Sequence, residues 1–165
     1  MKLRQYRNED AQKILSWIKS EREFRLWSAD RYKDYPASPD DINNNYSECE
    51  KDGAFYPFTL EDEGKTIGHL ILREPEKGKR IIRMGFIIVD NSIRGRGYGK
   101  ILIREAIKYA EEELLAEEIN LGVFTNNEGA LHCYKSVGFE TTRIDEKAYN
   151  FHGENWDCAE MILRK

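Results

Sequence analysis

Cysteine is scarce in this 165-residue chain, and Cys49, Cys133 and Cys158 form no C-x-x-C pair. An odd number at such wide spacing argues against a disulfide framework or a cysteine zinc site, and fits reduced thiols in a reducing compartment. Histidine is as sparse. His69, His132 and His152 show no metal-ligand spacing, so no metal is expected. No apolar run approaches the about 20 residues that a membrane-spanning helix requires, so no membrane partner is expected. The opening "MKLRQYRNED" has no apolar stretch like that of a secretory signal, which points to a cytoplasmic location. A basic excess is missing too: with 26 Lys and Arg against 30 Asp and Glu the net charge is −4, and no global positive field recruits nucleic acid. Neither repeats, low-complexity tracts nor linkers divide the chain, so residues 1–165 are expected to form one domain around one core.

What is present is an ordered series of strand and helix signals. "KLRQYR" reads as a first strand, and Asn8 as the cap of a helix that carries Ile14, Leu15 and Ile18 inward and ends near Ser20. "EREFRLWSADRYKDYP" is rich in aromatics and charge but has no clean period. Ser38-Pro39-Asp40-Asp41 starts a second helix, with a serine cap, proline at the first helical position and acid at the third. Residues 53–90 read as a three-stranded meander with turns at Asp62-Glu63-Gly64 and over 74–79. Its last strand, 81–89, is almost unbroken in apolar character, as expected of a central strand buried on both faces. From Gly97 a long helix carries Ile103, Ile107, Ala110 and Leu114. "INLGVFT" is a strand, Ala130–Ser136 a short helix closed by Gly138, and "FETTRI" and "DCAEMIL" are the last two strands. The order β-α-α-β-β-β-α-β-α-β-β makes an α+β fold.

The stretch "IRGRGYGK" (93–100) places glycines at 95, 97 and 99 where a strand hands over to a helix. Such a loop collects unpaired N–H groups and the positive end of a helix dipole, which makes an anion site, usually for phosphate. The spacing excludes a Walker A loop, because Gly95 and Gly99 are one residue too close and Ile101 follows the lysine. It also excludes the dinucleotide fingerprint G-x-G-x-x-G after a first strand. What remains is R-x-x-G-x-G, formed by Arg94, Gly97 and Gly99.

"IIVDNSIRGRGYGK" together with "NEGALHCYKSVGF" resembles the GNAT acyl-CoA N-acyltransferases. The first segment is similar to that family's pyrophosphate loop, [QR]-x-x-G-x-[GA]. The second is similar to its N-x-x-A-x-x-x-Y-x-x-x-G-F motif, through Asn127, Ala130, Tyr134, Gly138 and Phe139. The resemblance implies a mixed, mostly antiparallel sheet of six to seven strands, flanked by helices and splayed at its central strands. It implies acetyl-CoA as co-substrate, with the backbone of Arg94, Gly95, Arg96, Gly97, Tyr98, Gly99 and Lys100 around the pyrophosphate. Ile87, Ile88 and Val89 would pair with the pantetheine arm, Asn127 would bond it or the neighbouring backbone, and Tyr134 would protonate the leaving thiolate.

Direct attack by a primary amine then requires no cysteine nucleophile. The acceptor would be a small amine or polyamine, an aminoglycoside, or the peptide amine of a protein N-terminus, along an aromatic wall of Trp17, Phe24, Trp27, Tyr32 and Tyr35. Dimers are common among such folds, so a homodimer is carried as an expectation. One departure matters: many relatives carry a glutamate on the central strand as general base, and "RIIRMGFIIV" has none. His69, Glu74, Glu154 or a water are the candidates in its place. Against the enzyme stands a catalytically silent acyl-CoA-binding sensor or subunit of the same fold, favoured by the missing glutamate and opposed by the intact Tyr134.

Overall fold

The computed structural model describes residues 1–164, and its strands join into one seven-stranded sheet in the order β1-β2-β3-β4-β5-β7-β6. Strands β1 (Lys2–Gln5), β2 (Phe55–Asp62), β3 (Lys65–Arg73) and β4 (Ile81–Val89) run antiparallel in succession. β4 pairs in parallel with β5 (Glu118–Phe124); β5 pairs antiparallel with β7 (Glu154–Leu163), and β6 (Phe139–Phe151) lies outside β7. Helices α1 (Asp10–Ser16), α2 (Glu21–Ser28) and α3 (Pro39–Glu50) lie between β1 and β2; α4 (Tyr98–Glu112) follows β4, and α5 (Glu128–Val137) follows β5.

Alternation along the strands sorts the core into two layers. Leu70 and Leu72 of β3 and Ile82 and Met84 of β4 pack with Leu102, Ile103 and Ala106 of α4. Ile71 points the other way, into a layer with Phe24, Ile42 and Tyr46 of α2 and α3. The meander turns come where the sequence places them. Glu63 and Gly64 both take positive φ (46° and 77°), as a two-residue hairpin turn requires. Helix α3 has the expected capping box, the Ser38 hydroxyl accepting the Asp41 N–H while the Asp41 carboxylate accepts the Ser38 N–H. Gly138 closes α5 at φ 117°.

Four expectations change. Asn8 does not cap α1: the Asp10 carboxylate accepts the Arg7 N–H instead, and the helix ends at Ser16, short of Ser20. Ser20 caps a separate helix, α2, in the stretch without a clean period. That period is hidden because a charged residue sits on the inner face: buried Arg25 donates to the carbonyls of Ala29, Tyr32 and Lys33. Strand β4 is buried only at Ile82, Met84 and Ile88, and Arg83, Gly85, Phe86, Ile87 and Val89 border a cleft. The last two strands are longer than expected and form one hairpin.

The sheet opens at its centre. Pairing of β4 with β5 covers only Ile81–Met84 against Glu118–Leu121, and beyond it the strands part. At the same level the β3–β4 register shifts between His69 and Ile71, and Phe86 adopts φ 49°. This bulge turns β4 away from its neighbour.

Candidate active site

The gap between β4 and β5 holds a cavity of about 960 Å³ that runs from the α4–α5 side to the α2 side. Ile87, Ile88 and Val89 line one wall; Ile88 and Val89 still pair with His69 and Gly68, while Ile87 falls in the bulge.

Beyond Val89 the Asp90 carboxylate accepts the N–H and O–H of Ser92, at 2.9 and 2.8 Å, and shapes a single 3-10 turn. The chain then enters the glycine stretch. Gly95 and Gly97 take φ of 80° and 85°, and a Cβ at either would meet nothing within 4 Å. Their requirement is therefore one of backbone conformation, not of packing. The first amide of α4 that finds an acceptor is that of Ile101, which donates to Gly97. Among the described residues, the N–H groups of 94–100 ahead of it have none, so they stand free at the positive end of the helix. Arg94, Gly95, Gly97, Tyr98, Gly99 and Lys100 line the cavity. Arg96 is exposed and stands outside the lining.

Asn127 and Tyr134 face the cavity from α5. Asn127 occupies the N-cap position, yet its side chain makes no capping bond. Tyr134 is 7% exposed, packs edge-on against Phe139, and has no hydrogen bond from its hydroxyl among the described residues. Burial, with a smaller push from Cys133, raises the phenol well above its ordinary value and keeps it protonated.

None of the three protein bases expected from the sequence reaches the cavity. His69 is fully buried, its Nε2 2.7 Å from the Tyr46 hydroxyl and its Nδ1 2.8 Å from the Phe58 carbonyl. Burial lowers it to about 4. Glu74 accepts the Arg80 N–H at the far end of β3. Glu154 receives both Nη groups of Arg22 and the Trp156 indole N–H, which hold its carboxyl down at about 2. The aromatic wall is also smaller than expected. Trp27 borders the cavity, its ring 5.2 Å from that of Phe86; Trp17, Phe24 and Tyr32 are buried in the core and Tyr35 is exposed.

The α2 side of the cavity is instead edged by arginines absent from the sequence expectations: Arg31, Arg73 and Arg83. Arg83 crosses β5 to Glu160 in a two-pronged pair at 2.8 and 3.1 Å, and also donates to Asn120. A Cβ on Gly122 would stand 2.7 Å from the Arg83 Nη2, so a glycine is what lets the guanidinium lie there. Arg83 had a signal in the sequence, a charge inside an apolar strand; Arg73, its partner in the β3–β4 register, and Arg31, in the turn after α2, join it only through the fold. Among the described residues no group of histidine, cysteine and acidic side chains is placed to hold a metal ion, and no helix is long and apolar enough to cross a membrane.

Residues 15–139 match the family model described as acetyltransferase (GNAT) family. An L-amino acid N-acetyltransferase of Escherichia coli, AaaT, is 32% identical over 104 residues, which is 62% of this chain and 64% of that protein. Human N-acetyltransferase 8B is 30% identical over 118 residues, 68% of this chain and 50% of that protein. The chain thus spans less than two thirds of the length of either relative. A crystal structure of spermidine N-acetyltransferase from Vibrio cholerae, in complex with CoA and spermine, superposes with a TM-score of 0.83 at 24% identity, over 98% of this chain and 94% of that one. At that identity the likeness is one of fold.

Proposed function

From the premise that the chain belongs to the acetyltransferase (GNAT) family, we propose that it is an N-acetyltransferase that moves acetyl from acetyl-CoA to a small primary amine by direct attack. The observation that carries this reading is the β4–β5 gap, with free amides at one end and a protonated, unpaired phenol in its wall. A cavity of about 960 Å³ is large enough for an extended cofactor arm and a small acceptor.

Acetyl-CoA would supply the acyl group and a thiolate as leaving group. The amides of 94–100, with Arg94 and Lys100 beside them, would hold its pyrophosphate by the charge of the helix end. The unpaired edge of β4 at Ile87 would take the pantetheine amides and steady the thioester carbonyl, and Asn127 has a free amide for the opposite side. As the amine nitrogen bonds to the acyl carbon, the Tyr134 phenol gives its proton to the departing sulfur and recovers one from solvent. Glu23 and Asp30 are the acids on the lining, and the Glu23 carboxylate is already taken by the Lys19 N–H. The amine is therefore read as entering neutral and losing its second proton to water.

Calorimetric titration of acetyl-CoA, followed by an assay of free thiol released with a panel of amines, tests the reading. Binding with thiol release that Tyr134→Phe suppresses supports it. Tight binding without release from any amine would favour the silent acyl-CoA-binding reading, for which the absent strand glutamate speaks. The names of the relatives point to acceptors of different charge, an amino acid, which carries a carboxylate, in one case and a polyamine, which carries only cations, in the other.

A further inference from the structure

Arg73 is a half-buried guanidinium with no hydrogen bond and no ion pair among the described residues. It stands opposite Arg83 in the β3–β4 register, on the acceptor face of the sheet. Arg31 comes down on the same place from the turn after α2, its guanidinium 5.5 Å from the centre of the Phe86 ring. Its one polar contact is a long one, 3.8 Å to the Cys49 sulfur. Arg83 has its acid, since Glu160 takes both of its Nη groups. The other two have none: Glu23 and Asp30 line the same cavity, yet neither pairs with Arg31 or Arg73.

A guanidinium stays charged in any protein, and leaving one partly desolvated beside two like charges is costly unless an anion completes the group. Burial, then the charges of Arg83 and Arg31, hold Arg73 below the ordinary arginine range, with Cys49 and Glu160 acting the other way. The strain is therefore present in the free protein. All three arginines border the cavity that also contains Phe86, Ile87 and Tyr134, which connects the missing anion to the acceptor. A polycation would meet three guanidinium groups there. An acceptor that carries an oxyanion beside its amine would find cations for that group.

We propose that the acceptor is a small amine that also carries an oxyanion, as an α-amino acid does, with the oxyanion held between Arg31 and Arg73 and the amino group directed to the β4 bulge. The proposal rests on the acetyl-transfer reading above and names its substrate class. A carboxylate and a phosphinate offer the same two-pronged acceptor to a guanidinium.

The test compares L-phenylalanine and L-methionine with the amines left by removing their carboxyl groups, with an aminophosphinate, and with spermidine, all as acceptors in the thiol-release assay. The amino acids should exceed their decarboxylated partners by at least about tenfold in kcat/KM, the size of a charge-assisted hydrogen bond. The aminophosphinate decides whether the site takes any oxyanion or carboxylate alone. In Arg73→Gln and in Arg31→Gln that discrimination should collapse toward one, through KM more than kcat, with acetyl-CoA affinity unchanged. Arg31 is exposed, and its substitution removes a cation–ring contact with Phe86 but nothing from the core. Equal or better turnover of spermidine or the decarboxylated amines would overturn the proposal, as would weakened acetyl-CoA binding or a uniform loss of kcat across all amines. If no amine is turned over, the transfer reading fails separately, and titration of the amino acids into the acetyl-CoA complex decides this one. Binding that Arg73→Gln removes supports it, and absence of binding overturns it.

Discussion

The imidazole of His69 is enclosed by two partners that fix its tautomer. The Phe58 carbonyl can only accept, so Nδ1 carries the hydrogen, and Nε2 accepts from the Tyr46 hydroxyl. Burial holds the ring neutral, with a value of about 4 against the ordinary 6.5. Below pH 6.5 the unfolded chain takes up a proton that the folded protein refuses, so unfolding free energy falls as pH falls. The loss is complete near pH 4 and reaches about 3 kcal/mol; above 6.5 this residue adds no slope. Urea midpoints at several pH values from 4.5 to 7.5 measure it, and His69→Gln should flatten that slope while lowering stability at the upper end. Tyr134→Phe keeps the ring and removes the proton. It should lower kcat by about 10²-fold or more, with little change in acetyl-CoA affinity or thermal midpoint. These two residues differ in legibility. The place of Tyr134 in the cavity wall was readable because its neighbours at fixed spacing form a motif, whereas whether His69 faced a cleft or a core depended on Tyr46 and Phe58, which meet it only through the fold.

At the scale of elements, one buried carboxylate joins three of them. Asp10 at the start of α1 accepts both Nη groups of Arg4 on β1, the Arg7 N–H, and the Thr59 hydroxyl on β2. Burial pushes its carboxyl up, but these donors outweigh burial and leave it below 3.8. Its stabilising share is thus present above that value and lost in stronger acid. Asp10→Ala leaves the 12%-exposed Arg4 with Glu61 as its remaining acid, and should cost about 3 kcal/mol in chemical denaturation. The glycine loop behaves differently, because Gly97 caps α4 at φ 85° with open space around it. Gly97→Glu adds strain of about 1 kcal/mol and sets a negative charge at the anion end of the helix. We expect acetyl-CoA binding to be lost in calorimetry while the folded circular dichroism spectrum is kept; unchanged affinity would mean the pyrophosphate lies elsewhere. The loop and the capping box of α3 were legible because local chemistry decides them. Helix α2 was not, since its inner face carries Arg25, whose charge is satisfied by carbonyls that only the following turn supplies.

For the whole molecule, the succession of strands along the chain follows from hydrophobic pattern, but the opening between β4 and β5 is a property of their pairing. Both strands are apolar enough to pair along their full length, and the bulge at Phe86 stops them. A sheet left unpaired at its centre has a weak line, and a ligand that binds there adds stability by mass action, about 2.7 kcal/mol at a hundredfold excess over Kd. Acetyl-CoA should therefore raise the thermal midpoint in a concentration-dependent way. Its effect on amide hydrogen exchange should be local. Slowing is expected at 85–89, at 122–124 and in the loop of 94–100, where N–H groups lack acceptors or border the cavity. The β6–β7 hairpin, paired along most of its length, should exchange at the same rate with and without ligand. If the hairpin slowed as much as the cleft, the stabilisation would be global and the split sheet would not be the binding line. If the loop of 94–100 stayed fast while 85–89 slowed, the arm would bind without its pyrophosphate on α4.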